Sequence, residues 1–216
     1  MKSSILRMKN NRSKIKLVIF DLDNTLYAER DYFRLVFQVF EEAAGLERGK
    51  LLSAYESINR CESKDILGDC LSASHGNTER HKDQLFDIYK SVKGELPLPE
   101  QSRALLTRCV DQHIQLALLT NGIPVVQRNK VALLKVKPFF DRCFFARENP
   151  TGLEKPSKGA FAEVMDYFQL DARQAMMVGD DLVNDVFGAR AAGLNTFHLD
   201  MSDGYDPSKL NEFILF

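Results

Sequence analysis

Two carboxylates follow a buried strand near the start of this 216-residue chain. The stretch KLVIF (16–20) is apolar and typical of a buried strand, and Asp21 and Asp23 come directly after it with only Leu22 between them. Two like charges so close together repel each other, and both lose hydration at the end of a buried strand. The pair therefore predicts a positively charged partner at this point of the fold.

Further polar residues follow the other strand-like runs of the chain. These runs cover residues 114–120, 142–147, 175–179 and 195–199, and helical patterns separate the later ones. In an open parallel sheet, ligands bind at the carboxyl ends of the strands, beside the switch in strand order. Besides the acid pair, the residues expected at that edge are Thr25, Thr120, Asn121, Gly122, Lys155, Asp180, Asp181 and Asp185.

Four segments, in this order, resemble the motifs of the haloacid dehalogenase superfamily of phosphohydrolases. They are DLDNTLY, an aspartate pair followed by a threonine; LLTNG; EKPSKGAF, with a lysine before a proline; and VGDDLVND, followed by VFGARAAG. The similarity covers about residues 15 to 200, and four motifs that each follow a strand make a chance match improbable. The resemblance implies a Rossmann-like core, a Mg²⁺ cofactor and hydrolysis of a small phosphomonoester.

The resemblance also implies a set of metal ligands, and the chemistry of the ion agrees with it. Mg²⁺ prefers oxygen ligands in near-octahedral geometry. The side chains of Asp21 and Asp180 and the backbone carbonyl of Asp23 are the expected ligands. Asp185 is expected to support them through water or a hydrogen bond. The spacing of the fourth motif selects Asp180 over Asp181, which is expected to begin a helix instead.

The implied reaction has two halves. Asp21 attacks the phosphorus in line and forms an aspartyl-phosphate, while Asp23 protonates the departing alkoxide and later takes a proton from the hydrolytic water. Lys155 and Thr120 are expected to contact phosphoryl oxygens. Backbone N–H groups near Leu22, Asn121 and Gly122 are expected to help bind phosphate, and Thr25 to brace the loop.

Several neighbouring residues are expected to be structural. Lys158 lies three residues after Lys155, inside a predicted helix, and is expected to be solvated. Gly179, Gly188 and Gly193 are expected to serve close packing and turns rather than ligand binding.

The order of strands and helices predicts an α/β fold: a Rossmann-like parallel sheet with helices on both faces. The core is predicted to comprise residues 15–27 and 98–216, with helices over 100–112, 124–136, 157–169 and 182–193. Pro124 is suited to a first helical turn.

About ninety residues separate the first two strands, far more than an ordinary crossover contains. Helical patterns occupy 29–46, 48–60 and 78–92, whereas LGDCLSASHGN (67–77) is expected to form a turn. Residues 28–97 therefore predict a small all-helical cap domain, placed as in the helical-cap branch of the superfamily and expected to act as a lid. Its own core is expected to contain Phe33, Val36, Phe37 and Phe40, with Gly45 near the end of the first helix.

Composition restricts the location and the partners. The net charge is −1, which argues against a nucleic acid polymer as partner, and a small phosphorylated metabolite is expected instead. Residues 1–14 are expected to form a flexible basic tail, with neither a signal peptide nor a membrane span in the chain. The four cysteines show no metal-binding spacing and are expected to be reduced, which indicates a cytoplasmic protein. The oligomeric state stays open.

Other functions on the same fold have to be weighed. Sugar phosphates, nucleotides and phosphoglycolate-like acids are candidate substrates, and a sugar phosphomutase would keep all four motifs. Haloacid dehalogenation needs neither a second acid nor a metal, so Asp23 and Asp180 argue against it. The complete set of polar residues also argues against a non-catalytic binding protein.

Overall fold

A computed structural model describes residues 14–59, 62–75, 78–148 and 153–213 of the chain. Apart from Lys14, the predicted basic tail lies outside the described residues, and so does Cys61. Cys70 and Cys109 are buried inside the core, and Cys143 is half-buried. Among the helices in these ranges, none combines the length and the apolar character needed to cross a bilayer.

Five parallel strands form one sheet in the order β3-β2-β1-β4-β5. All five lie where the apolar runs predict them, although 146–148 form a 3₁₀ turn instead of extending the third strand. The strands are β1 (Leu17–Phe20), β2 (Gln115–Thr120), β3 (Arg142–Phe145), β4 (Ala175–Gly179) and β5 (Asn195–His198).

Strand β1 lies at the centre of the sheet, where the strand order reverses. Phe20 pairs with Leu118 of β2 on one side and with Val178 of β4 on the other. Because the three strands are parallel and in this register, their carboxyl ends reach the same edge of the sheet. The residues that follow them are therefore neighbours, although they lie far apart in the sequence.

The long insertion between β1 and β2 is helical, as predicted, but it contains one more helix than expected. Its helices are α1 (Glu29–Ala44), α2 (Lys50–Ser57), α3 (Ile66–Ser74) and α4 (Glu79–Ser91). The prediction of a turn over 67–77 is wrong, since α3 covers most of that segment. At the start of α3, the Asp65 side chain accepts a hydrogen bond from the Gly68 N–H. Cys70 and Leu71 of α3 are fully buried. Burial of this apolar face stabilises a helix that its glycine and serine content disfavours.

The phenylalanine stripe of α1 forms the interior of the insertion, as predicted. Phe33, Phe37 and Phe40 are buried, and the Phe33 ring stacks on Tyr55 at 4.6 Å between centroids. Phe33 also stacks on Tyr89 of α4 at 5.6 Å. The rings of the phenylalanine stripe thus pack inside the insertion.

Helices cover both faces of the sheet, which confirms the predicted fold class. The helices are α5 (Glu100–Asp111), α6 (Pro124–Leu134), α7 (Lys158–Phe168) and α8 (Gly188–Ala191). Val18 and Phe20 of β1 share a buried cluster with α5 and α6, whereas Leu17 and Ile19 pack with α7 and α8. The alternation of side chains along β1 thus feeds two cores.

Two predicted packing glycines bring the fourth motif close to the sheet and to Pro156. A Cβ atom at Gly179 would overlap the Asp185 carboxyl group, and one at Gly188 would lie 2.8 Å from the Pro156 Cα. Residues Leu182–Phe187 between them form a π-helical turn that leads into α8, so the helix predicted over 182–193 is regular only in its second half. This tight packing places Asp185 directly against the end of β4.

Replacing Gly45 with alanine should destabilise the fold through backbone conformation alone. Gly45 ends α1 in the left-handed region, with φ of 66°, and a Cβ there would meet no atom within 4 Å. Chemical denaturation should show a loss of about 1 kcal/mol for Gly45→Ala. Gly45→Asn should lose less, because asparagine tolerates this conformation. Equal losses in the two variants would contradict this explanation.

Candidate active site

Lys155 lies between two buried acids at the end of the sheet. Its ammonium group donates hydrogen bonds of 2.6 Å to the Asp21 Oδ1 and of 2.6 Å to the Asp185 Oδ1. Burial alone would lower the pKa of Lys155, but the two carboxylates raise it above its ordinary value. Burial raises the pKa of Asp21 well above its usual range, by more than the charge of Lys155 lowers it. Lys155 is thus a positive partner of the kind that the acid pair predicts.

Asp180 completes a cluster that could hold a metal ion. One carboxylate oxygen from each of Asp21, Asp180 and Asp185 lies within 4.8 Å of the others. Burial, and then the charge of Asp185, raise the pKa of Asp180 to about 7. With all three acids ionised, Lys155 leaves two negative charges unbalanced. A dication with a preference for oxygen ligands fits this donor set.

Thr25 and Asp181 lie beside the clustered acids and hydrogen-bond to neighbouring groups. The Thr25 hydroxyl donates to the Asp180 Oδ1 at 3.4 Å, so Thr25 braces a predicted metal ligand. The Asp181 side chain accepts hydrogen bonds from the N–H groups of Val183 and Asn184, so Asp181 caps the start of the π-helical turn. Lys158, at the start of α7, is exposed, as predicted.

Asp23 has a cation of its own, which the sequence reasoning missed. The Lys130 ammonium group donates to both Asp23 carboxylate oxygens at 2.8 Å, the Tyr27 hydroxyl donates to Oδ1 at 2.6 Å, and the Gln127 amide donates to Oδ2 at 2.8 Å. Burial would raise the pKa of Asp23, but the charge and hydrogen bonds of Lys130, with those of Tyr27 and Gln127, bring it below its ordinary value. The two acids of the opening motif thus have different environments.

A sequence signal for Lys130 and Gln127 did exist. Both lie in the buried stripe of α6, among the apolar residues Val126, Val131 and Leu134. A lysine and a glutamine on the apolar face of a helix require polar partners, since such groups are seldom buried alone. Those partners are at the neighbouring end of β1.

Thr120, the last residue of β2, and the residues directly after it lie beside Lys155, on the side of the site that is expected to bind phosphate. Ile123 is the residue directly before α6, so Thr120 does not cap that helix. The Thr120 hydroxyl accepts a hydrogen bond from the Gln127 amide at 2.7 Å. The Asn121 side chain donates to the Lys155 carbonyl at 2.8 Å and accepts from the Lys155 N–H at 3.0 Å. This double link holds the backbone of Lys155 against β2, a role that the motif reading did not assign to Asn121.

The backbone positions predicted to bind phosphate are also at this edge. Leu22 is fully buried between the two acids, which fixes the backbone of their loop. The Gly122 N–H donates to the Glu154 Oε1 at 3.2 Å. A phosphoryl oxygen at this N–H would therefore take the place of the Glu154 carboxylate.

A cavity of about 520 Å³ opens over these groups. Its wall includes Lys64 and Tyr89 from the helical insertion and Arg147 from the loop after β3. A larger cavity, of about 630 Å³, runs along β3 and includes none of the three clustered acids in its wall. The smaller cavity is the candidate active site, because Asp21, Asp180, Asp185 and Lys155 all line it.

Comparisons with known proteins find relatives that are similar in sequence and solved structures that are similar in fold. The model of a family of hydrolases, the haloacid dehalogenase-like hydrolases, matches residues 15–193. The chain is 33% identical to a glyceraldehyde 3-phosphate phosphatase of Pyrococcus abyssi, over 84% of this chain and 80% of the relative. It is 29% identical to a ribulose-1,5-bisphosphate 5-phosphatase of Halopiger xanaduensis, over 89% and 87%. In fold, it is similar to the magnesium-bound putative HAD-hydrolase YfnB of Bacillus subtilis, with a TM-score of 0.70, 20% identity and 87% of each chain covered.

Removing the Lys155 ammonium group should destabilise the metal-free protein in a pH-dependent way. Lys155→Met leaves buried carboxylates without a partner, and we expect a loss of about 3 kcal/mol near neutral pH in the presence of EDTA. The pKa of Lys155 is higher in the folded protein than in the unfolded chain, so its charge stabilises the fold fully at any pH below the unfolded pKa. The wild type therefore retains this contribution in acid. The difference should nevertheless shrink as the pH falls, because Asp21, whose pKa burial raises, then becomes neutral in the variant.

Urea denaturation across this pH range measures the effect. Lys158→Met is the matched control, since Lys158 is an exposed lysine in the same segment, and it should change stability little at any pH. A loss that is the same for both variants, or that does not depend on pH, would contradict the electrostatic role of Lys155.

Proposed function

This chain belongs to the haloacid dehalogenase-like hydrolases, and on that premise we propose that it is a Mg²⁺-dependent phosphatase of a small phosphomonoester. The observation that carries the proposal is the cluster of Asp21, Asp180 and Asp185, in which Asp21 and Asp185 both pair with the buried Lys155. The proposed nucleophile, the lysine that offsets part of the negative charge and the proposed metal ligands would then all line one cavity.

The acids of this cluster would hold the metal ion. Asp21 and Asp180 would bind Mg²⁺ through their side chains and Asp23 through its carbonyl, with Asp185 in support. When bound, the ion would balance the charge that Lys155 leaves and withdraw electron density from the phosphoryl group. Asp21 would then be ionised at neutral pH, despite the burial that raises its pKa in the metal-free protein.

Four side chains would then have separate roles in the reaction. An Asp21 oxygen forms a bond to phosphorus while the ester P–O bond breaks, and the proton of Asp23 moves to the leaving oxygen. Asp23 therefore has to take up a proton before this step, because Lys130, Tyr27 and Gln127 lower its pKa in the metal-free protein. Water then cleaves the aspartyl-phosphate, and Asp23 takes up its proton. Lys155 and Thr120 would contact the phosphoryl oxygens throughout, where they stabilise the charge of the transition state.

Sugar phosphates are the substrate class that we favour. The cavity of about 520 Å³ has room for a small metabolite. Lys64 and Arg147 in its wall suit the negative or hydroxyl-bearing parts of such a molecule. The relatives from P. abyssi and H. xanaduensis are named for phosphorylated sugars of this size. The insertion, which we take as a cap over residues 28–97, would open to exchange ligands and close to exclude water.

A panel of phosphomonoesters tests the proposal. Wild-type protein should release inorganic phosphate from at least one sugar phosphate with Mg²⁺, and EDTA should abolish the release. Asp21→Asn should lower turnover to background, since the amide cannot attack phosphorus. The isosteric change Asp166→Asn, on the exposed face of α7, should leave turnover unaltered.

Two results would contradict the proposal. Release of phosphate by Asp21→Asn would exclude Asp21 as the nucleophile. Conversion of a hexose 1-phosphate into an isomer, with no free phosphate, would indicate a phosphomutase instead.

A further inference from the structure

The carboxyl group of Asp23 is held mainly by a helix that lies far from it in the sequence. Lys130 of α6 is 107 residues away and only 1% exposed, yet its ammonium group reaches both Asp23 oxygens at 2.8 Å. Burying a lysine costs free energy that only close partners offset, and the bidentate contact supplies them. This geometry fixes both the position and the rotation of the carboxyl group.

Gln127, one turn earlier on α6, joins Asp23 to the phosphate side of the site. Its amide nitrogen donates to the Asp23 Oδ2 at 2.8 Å and to the Thr120 hydroxyl at 2.7 Å. Gln127 is 2% exposed, so its amide has little alternative contact with solvent. The distance between the proton-transfer group and the hydroxyl expected to contact phosphate is therefore set by one side chain.

Lys130 also lies where the helical insertion meets the sheet domain. Its ammonium group is 3.5 Å from the Glu29 carboxylate at the start of α1 and 5.1 Å from the centre of the Tyr32 ring. The adjacent Asn129 donates to the Tyr32 hydroxyl at 3.1 Å and to the Val92 carbonyl at 2.9 Å. Helix α6 thus contacts both the outgoing and the returning segments of the insertion.

We propose that Lys130 and Gln127 are positioning residues that hold the Asp23 carboxyl group in place to protonate the leaving group, with Lys130 doing so from the junction of insertion and core. This inference rests on the proposed phosphatase function. In the step concerned, the Asp21–phosphorus bond forms, the ester P–O bond breaks and the Asp23 proton moves to the leaving oxygen. Lys130 and Gln127 keep their own protons; their hydrogen bonds go to Asp23 and Thr120, and Lys130 also pairs with Glu29 of the insertion.

Two substrates distinguish positioning from a general structural role. An alkoxide is a poor leaving group and needs the proton of Asp23, whereas p-nitrophenolate leaves readily without one. The value of kcat/KM reports the steps up to phosphoryl transfer and excludes the later hydrolysis of the aspartyl-phosphate. Loss of positioning should therefore affect an alkyl phosphate much more than p-nitrophenyl phosphate.

Steady-state kinetics with Mg²⁺, on glycerol 3-phosphate and p-nitrophenyl phosphate, provide the test. Lys130→Met should lower kcat/KM for glycerol 3-phosphate by roughly 100-fold, the usual contribution of general acid catalysis, and for p-nitrophenyl phosphate by less than about 5-fold. Lys130→Arg, which keeps the cation, should recover part of the loss. Arg128→Met is the control, because Arg128 on the same helix pairs with the exposed Glu148, and it should change neither value.

Equal losses on the two substrates would overturn the inference and leave Lys130 a structural residue. If Lys130→Met fails to fold by circular dichroism, Gln127→Met gives the same comparison without removing a charge, and equal losses there count equally against it. The wild type must also release phosphate from p-nitrophenyl phosphate and from at least one alkyl phosphate, and if glycerol 3-phosphate is not turned over, the best sugar phosphate of the panel takes its place in the comparison. A failure to release phosphate from any of them would contradict the proposed phosphatase function rather than the positioning role.

Discussion

The ammonium group of Lys155, shared between Asp21 and Asp185, is the interaction on which the site depends. The segments that follow β1, β3 and β4 bring this ammonium group within 2.6 Å of a carboxylate oxygen of each acid, although 134 residues separate Asp21 from Lys155. Asn121 holds the backbone of Lys155 at both its N–H and its carbonyl, and Gly179 leaves the space that the Asp185 carboxyl group occupies. Without this cation, buried carboxylates would face each other at the sheet edge.

The two acids of the first motif illustrate how environment assigns roles to identical side chains. Burial, together with neighbouring like charges, raises the pKa of Asp21, whereas the contact with Lys130 outweighs burial and lowers the pKa of Asp23. Lys155 alone cannot balance Asp21, Asp180 and Asp185, so this half of the site is suited to a further cation.

The sequence predicted the parts of the site that follow strands, and it missed those that helices supply. Parallel strands and strand-end residues obey simple rules of periodicity and connectivity, so Asp21, Thr120, Lys155 and Asp180 could be assigned to one edge. Lys130 and Gln127 lie within α6, and only the packing of that helix against β1 brings them to Asp23. Helix α3 was missed for a related reason, because burial stabilises a segment whose composition indicates a turn.

Calorimetric titration of Mg²⁺ into the metal-free protein between about pH 6 and pH 8 tests the central claim most directly. Metal ligands must lose their protons before they bind, and the pKa of Asp180 is raised to about 7. We therefore expect one ion per chain, proton release on binding, and an affinity that increases with pH across this range. Asp180→Asn should abolish binding, and Asp166→Asn should not. No binding by the wild type, or full binding by Asp180→Asn, would contradict the account of a charge cluster completed by a divalent cation.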